Sequence, residues 1–467
     1  MATRFISIDR DTPLLLPPDL RDWVPDDHLV HFILDAVEAL DLRQVKVNIR
    51  GTGSEQYPPS MLLCLLIYSY ATGVFSSRRI EQSTYDSVPV RLLTADTHPD
   101  HDTLCSFRRE NQGLLTESFV KVLQLAQQLR VLKFGQLTVA VDGTKVLANA
   151  SKHNAVSYQR ATELSAQLEL EVQQLLAKAE AADATPLQEG LRIPQEIVRR
   201  QERKAALAQA RAEIEARAQA RYLAQLAEYE QDKAERAAKK PRGEKVGTHA
   251  PRPPTSTPEG GDQYNFTDPE SRIMKAGNGN HFEQSYNAQA AVEVESRLIV
   301  GERVSQSPND KQELVPTLGA IPAEVGSVAT ALADSGFFSE QAVRAVEAAG
   351  PGAPTGTRVY AAVEKTGHHR SVADLEVKSE PQAPAPGASL KEVMRHRLKT
   401  TAGKQLYKLR QQTVEPVFGI IKAALGFRQF HLRGQLKVSL EWTLVCLAYN
   451  LKRLHRLGAG LKLAATS

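Results

Sequence analysis

Residues 158–238 are written almost entirely in Ala, Gln, Glu, Arg, Lys and Leu. These residues favour helix, and several of them are poor strand formers. Leu164, Leu168, Val172 and Leu175 form one apolar stripe; Ile197, Leu207, Ile214, Tyr222, Leu226 and Tyr229 form a second. The Pro186–Pro194 stretch between the stripes predicts two antiparallel helices, a coiled-coil hairpin over residues 155–240 whose two ends lie side by side. Lys239 to Gly261, rich in Pro, Thr and Gly, reads as a flexible linker, bounded at 241–262. Sheet-forming sequence lies on both sides of this block. The chain must therefore leave a sheet and return to it.

An acid marks the sheet on each side of the block. Leu137-Thr-Val-Ala-Val-Asp142-Gly-Thr-Lys145 is a β-rich run with an acid inside it, and Val328-Ala-Thr-Ala-Leu-Ala-Asp334 is a strand closed by an acid, with Ser335-Gly336 turning after it. Acids are disfavoured in strands, so two at such positions point to a site rather than to propensity. A pair of surface turn acids is the plainer alternative, and Asp142-Gly143 also fits a hairpin turn. Beyond Asn280, Ser285–Val294 and Leu298–Gln306 alternate as adjacent strands turned at Glu295-Ser296-Arg297. Pro308–Leu318 reads as a helix, Ser339–Ala349 as a helix capped by Ser339, and Thr357–Val363 as a final strand. Residues 365–400, with His368 and His369 as solvated side chains, resist assignment.

A third acid, Glu415, lies in Tyr407–Arg433, among Tyr407, Arg410, Lys422, Arg428 and Arg433. Leu406, Leu409, Val414, Val417, Ile421 and Leu425 recur at helical steps. Pro416 predicts a kink, or a restart one residue earlier. Alone, one acid among bases reads as a solvated ion-pair face. Charge is concentrated nearby: Lys391–Arg456 holds fourteen Lys or Arg against three Asp or Glu, a net of +11, while the whole chain carries +4 and the remainder −7. Such asymmetry points to a polyanion, phosphate backbones foremost. A solvated basic helix pair is the alternative.

Asp142, Asp334 and Glu415 together carry a resemblance. VDGTK around Asp142, ADSGF around Asp334, and the Tyr407-x-x-Arg410 … Glu415-x6-Lys422 pattern resemble the DDE transposases of bacterial insertion sequences. The final stretch FRQFHLRGQLKVSLEWTLVCLAYNLKRL is similar to the tail of such enzymes. Outside residues 155–260 the likeness covers most of the chain. One departure is that four residues separate Arg410 from Glu415, where the pattern has three.

The resemblance implies an α/β fold, a ribonuclease H-like mixed sheet flanked by helices over 133–154 and 263–456. It also implies metal-dependent cleavage and strand transfer at the element's terminal inverted repeats. Both steps are in-line displacements at phosphorus, which two Mg²⁺ ions (Mn²⁺ substituting) can assist. Asp142 would bridge both ions, with Asp334 and Glu415 each completing one shell. Lys422 would hold a phosphate, and Tyr407, Arg410, Arg428 and Arg433 would contact double-stranded DNA. A homodimer assembled on DNA is expected. A nuclease that cuts without joining, or a DNA-binding protein that has lost catalysis, are the alternatives. The hairpin reads as a solvated spacer, with partner or DNA contact as its alternative.

Residues 1–132 read as an all-α domain, DNA-binding or dimerising. Asp26-Asp27 caps a helix bearing Leu29, Phe32, Ile33, Val37 and Leu40, and Pro58-Pro59 opens a buried helix through Thr72. Short helices follow near Ser76–Tyr85, Val88–Leu93 and Thr103–Asn111, then a longer one through Leu129. Arg78, Arg79, Arg108 and Arg109 suit a DNA-contacting surface, Arg78 and Arg79 foremost. His98-Pro-Asp-His-Asp102 reads as a turn with an N-cap at Asp102 rather than a metal site. Cys64, Cys105 and Cys446 share no close spacing, which indicates neither disulfides nor zinc. MATRFISIDRD lacks the apolar run of a signal peptide, and Met61–Tyr70 is too short to span a bilayer, so a cytosolic protein with no membrane partner is expected.

Overall fold

The computed structural model describes residues 19–40, 42, 56–182, 193–239, 253–275, 281–348, 356–363 and 380–458. The break between the two hairpin helices at 183–192, linker residues 241–252, His368-His369 and the N-terminal MATRFISIDRD segment lie outside them. The chain divides into two compact units, Met1–Val146 with Asn287–Ser467, and Leu147–Tyr286.

The strands are β1 (Gly135–Leu147), β2 (Ala155–Ser157), β3 (Gln263–Asn265), β4 (Arg272–Lys275), β5 (Phe282–Glu293), β6 (Ile299–Ser305), β7 (Gly326–Ala333) and β8 (Arg358–Ala361). Six of them make a mixed sheet in the order β4-β5-β1-β7-β8, with β6 also paired to β5. β1 is parallel to β7 and β7 to β8, whereas β5 and β6 are antiparallel. Val294 N–H donates to Thr138 O and Ala148 N–H to Gln284 O, so β1 and β5 are antiparallel too. Val139–Val141, Ala290–Val292 and Ala331–Ala333 are buried in consecutive runs, as strands covered on both faces require.

Helices cover this sheet within the first unit. Gln435–Arg456 packs on β6 and also on two N-terminal helices, Pro59–Ala71 and Gln112–Gln128. It is buried almost all round from Leu440 to Leu451, so its apolar residues need no single stripe. Trp442 donates to Gln289 O at 3.0 Å, and the Asn450 amide bonds both Ile299 N–H and Ile299 O, substituting for a strand neighbour. Leu390–Lys399, opened by a Ser389–Glu392 capping box, and Thr401–Gly419 pack on β8.

In the second unit, helices Tyr158–Ala182 and Ile193–Lys239 pack together. Tyr158 pairs with Glu215, Glu169 with Lys204 and Glu171 with Arg200, so one helix descends as the other rises. Leu168, Leu207, Ala210 and Ile214 bury against Val156 and Tyr264. The β2–β3 ladder, Val156 opposite Tyr264, lies against the middle of the longer helix, where Arg217 donates to Gln263 O and Arg221 pairs with Asp262. That helix runs on to Lys239, so the two ends of the hairpin do not lie side by side as expected. That ladder and β4 were not expected from the sequence.

Several boundaries differ from expectation. Helix Leu29–Glu38 is capped by His28, whose Nδ1 accepts the Val30 N–H, rather than by Asp26-Asp27. Helix His101–Glu110 is capped by Asp100 instead of Asp102, because Asp100 is extended and its carboxylate reaches Thr103 N–H at 2.6 Å. The helix expected over Pro308–Leu318 is confined to Leu314–Gly319. Asn287 binding Ser307 O and Glu313 binding Arg303 and Ser305 hold the earlier residues in a turn. Asp142-Gly143 is not a hairpin turn; β1 runs straight through it. Pro416 does not restart its helix, which continues to Gly419 and widens into one π-turn over Ile420–Ala424. The buried residues Val414, Val417, Phe418 and Ile421 hold both sides of the proline in place.

Candidate active site

Asp142 projects from mid-β1 and Asp334 from the end of β7. Their strands are hydrogen-bonded neighbours with Val141 opposite Ala333. The next step of the register sets Asp142 beside Asp334, with backbones about 5 Å apart. Gly143 N–H donates to Asp142 Oδ1 at 2.8 Å, and Gly336 N–H donates to Asp334 Oδ1 at 2.7 Å, the latter closing an Asx turn that aims the carboxylate.

Glu415 arrives on helix Thr401–Gly419, which packs on β7 and β8. Arg410, on the same helix and 8% exposed, is the link between these acids. Its Nη1 lies 3.3 Å from Asp142 Oδ2 and its Nη2 lies 3.4 Å from Glu415 Oε1. One planar fork thus spans two carboxylates that are 273 residues apart in the chain. The Arg410 guanidinium also lies 5.9 Å from the centre of the Tyr407 ring. Tyr407 is half-buried beside Asp334, and burial, more than that acid, raises its phenol.

Asp142 feels the crowding. Burial, and then the charge of Asp334, push its carboxyl up to about 7, while Arg410 and the Gly143 N–H pull the other way. Hard carboxylate oxygens are what Mg²⁺ and Mn²⁺ accept, and an acid pair of this kind lacks positive charge. The donor set therefore fits a divalent cation in kind and in charge. Among the described residues, though, no group of three Asp, Glu, His or Cys side chains converges to hold a metal. Arg410 lies between Asp142 and Glu415 and supplies the local cation in this conformation.

The basic residues divide into two sets. Arg410, expected at DNA, is enclosed by acids. Lys422 is half-buried on the π-turn, with its ammonium donating to Lys145 O at 2.7 Å; burial, Arg428 and Lys145 lower its pKa. Arg428 and Arg433 are exposed on the segment after that turn, and Arg428 donates to Lys422 O at 3.1 Å. Arg78 and Arg79 are exposed on helix Ser77–Asp86. Just ahead of them Phe75 packs edge-on against Phe427, with ring centres 5.1 Å apart, and on His431. Glu441, fully buried, accepts the His431 and Leu432 N–H groups and the Tyr70 hydroxyl, which Arg108 also contacts. The arginines of the two segments are thereby carried on one packed substructure. His98 and His101 are occupied by Tyr85, Thr84 and Glu81.

Sequence reasoning missed Asp310. Its Oδ1 accepts from Asn287 Nδ2 at 2.7 Å and Gln289 Nε2 at 2.8 Å, and Lys145 Nζ lies 3.5 Å away. The signal was present in β5: Ser285, Asn287 and Gln289 put polar groups on one face of a buried strand, and buried amides need partners.

The chain matches two families of domain, the Transposase DDE domain over residues 377–455 and the Transposase domain (DUF772) over residues 18–110. No curated protein and no solved structure matches it. Among the described residues no helix is long and apolar enough to cross a membrane.

Proposed function

Taking as premise the DDE-type insertion-sequence transposase that these two domains support, we propose that the chain binds the terminal inverted repeats of its own element, cuts there and joins the ends to a target. The observation that carries this reading is the β1–β7 register that sets Asp142 beside Asp334, with the Arg410 fork linking Asp142 to Glu415. The strand order β6-β5-β1-β7-β8, with β5 antiparallel to its neighbours, supports a ribonuclease H-like core over 133–154 and 263–456. Residues 1–132 then serve DNA binding or dimerisation, 155–240 form a coiled-coil insertion, and 241–262 link it back.

Asp142, Asp334 and Glu415 would hold Mg²⁺ or Mn²⁺, which when bound would activate the attacking oxygen and stabilise the leaving one at phosphorus. The residues themselves orient. The Gly143 and Gly336 N–H groups fix the two aspartates, and Arg410 keeps Asp142 and Glu415 charge-balanced before the cation arrives. Exposed Arg428, Arg433, Arg78 and Arg79 provide backbone contacts to duplex DNA, and Tyr407 lies at the acids. A dimer on two ends would bring both cleavage sites to one target.

The test is cleavage and joining of labelled DNA carrying the element's ends in Mg²⁺. Asp142→Asn, Asp334→Asn and Glu415→Gln should each lose cleavage while end binding stays nearly intact. Any one of these variants keeping more than about a tenth of wild-type cleavage would remove that residue from the ligand set. Nicking without joined product would favour a site-specific nuclease, and binding without nicking a DNA-binding protein.

A further inference from the structure

Asp142 and Gly143 are consecutive in a strand, so they face opposite sides of the sheet. On the Gly143 side a Cβ would be 2.9 Å from Asp310 Oδ1 and 2.9 Å from Asn287 Oδ1, and would collide with Gln289 Nε2. The Asp310 cluster therefore presses on the β1 backbone directly behind Asp142, in the space that only a glycine leaves. Asp310 also lies near the turn that carries the other acid. A Cβ on Gly336, which closes the Asp334 turn, would lie 3.0 Å from Asp334 Oδ1 and 3.8 Å from Asp310 Oδ2. One oxygen of Asp310 thus gathers β5 and Lys145, and the other faces the turn that carries Asp334.

We propose that Asp310 is a positioning residue of the active site, bracing Asp142 through Gly143 and Asp334 through Gly336 so that the two carboxylates keep a cation-binding separation. Asn287 and Gln289 are fully buried, and each spends its amide donor on Asp310 while Asn287 Oδ1 and Gln289 Oε1 have no hydrogen-bond partner. Buried acceptors left unpaired are costly. The arrangement is held by what it does for Asp310, since it does not satisfy the amides themselves. This role rests on the metal-dependent reading above and adds a residue outside its acid triad.

The test uses the full chain and reads Mn²⁺ binding directly, from the free-ion electron paramagnetic resonance signal, beside Mg²⁺-dependent cleavage. Asp310→Asn keeps an acceptor oxygen for Asn287 and Gln289 and should hold Mn²⁺ within about threefold of wild type, whereas Asp310→Ser, too short to brace either strand, should weaken it about tenfold or more. End-DNA binding should be unchanged in both. Should Asp310→Ser not fold, Gln289→Met, which removes one donor to the same oxygen at similar volume, is read in its place with the same expectation. Wild-type Mn²⁺ affinity in a folded Asp310→Ser, or in Gln289→Met, overturns the proposal. Equal loss in Asp310→Asn and Asp310→Ser overturns it too, since charge rather than bracing would then be the cause. If the wild-type chain neither binds Mn²⁺ nor cuts, the functional reading itself fails, a result distinct from these.

Discussion

Replacing Asp142 by Asn should make the metal-free protein more stable above neutral pH, although it removes a central residue of the site. The folded carboxyl sits at about 7, against an ordinary aspartate value of 3.8, because burial and Asp334 oppose its ionisation. A folded pKa above the unfolded one means that the native state binds more protons across that interval, so stability falls as pH rises from about 4 to about 7. A tenfold change in proton affinity is about 1.4 kcal/mol, so holding Asp142 ionised at pH 8 costs the folded protein about 4 kcal/mol. At pH 5 the native carboxyl is still protonated and about 2 kcal/mol of the cost remains. The Asn variant carries no such dependence, so its advantage should grow by about 2–3 kcal/mol between pH 5 and pH 8. The chain's two tryptophans, Trp23 and Trp442, both belong to the unit that contains Asp142, so their fluorescence in urea with EDTA follows that unit alone. Adding Mg²⁺ at pH 8 should stabilise the wild type and leave the variant unmoved. An advantage that is equal at pH 5 and pH 8, or absent at pH 8, would show that the acid pair is not under charge strain.

Glu302 repeats the logic away from the site: burial raises its carboxyl to about 7 while the Thr443 hydroxyl donates to it at 2.7 Å. Glu302→Gln, which keeps that acceptor, should stabilise by up to about 3 kcal/mol above pH 7 and fade towards pH 4.5, read in the same urea titrations. Neutralising exposed Arg428 and Arg433 together should flatten the log–log salt dependence of end binding by about 0.9 per lost phosphate contact. Lys422→Met should leave that slope unchanged and lower stability instead, because its ammonium is spent on Lys145 O; a flattened slope for Lys422→Met would place it on DNA. Gly403→Ala puts a Cβ onto Arg397 O and 2.8 Å from Thr400 Oγ1, at the junction that starts the Thr401–Gly419 helix. It should lower the melting temperature and weaken cleavage together, and normal cleavage at a lowered melting temperature would show that the helix start does not position Glu415.

What could be read from the chain was whatever has a period or a stop. The strands at 326–333 and 299–305, the helix after Pro59 and the Ser339 cap lie within a residue or two of expectation, because alternation, proline and a capping hydroxyl each act locally. Caps failed where several acceptors competed. Asp26, Asp27 and His28 all precede one helix, and the choice falls to whichever residue is extended at the turn. β2 and β3 are three residues each, too short for alternation to register, and they pair where the start of the first helix packs beside the middle of the second.

The candidate site was legible to a different depth on its two faces. Asp142 and Asp334 announce themselves as acids where strands disfavour them, whereas Glu415, an ordinary helix former among bases, was singled out with Tyr407 and Arg410 only by a motif spacing. Nothing one-dimensional says that Arg410 turns inward, since an arginine among lysines on an amphipathic helix looks the same whether it meets phosphate or carboxylate. The direction is set by β1: Asp142 stands opposite that helix, and a buried carboxylate draws in the nearest fork. The Asp310 side was hidden for the reverse reason. Its turn, Ser307-Pro308-Asn309-Asp310, carries helix-start residues, and it is held as a turn by long-range partners, Asn287 and Gln289 on β5 together with the Glu313 contacts to Arg303 and Ser305. Polar residues at alternate positions of a buried strand specify that some acceptor must face them. They leave its identity to the tertiary fold, and here the group that answers is a carboxylate held behind the site's own glycine.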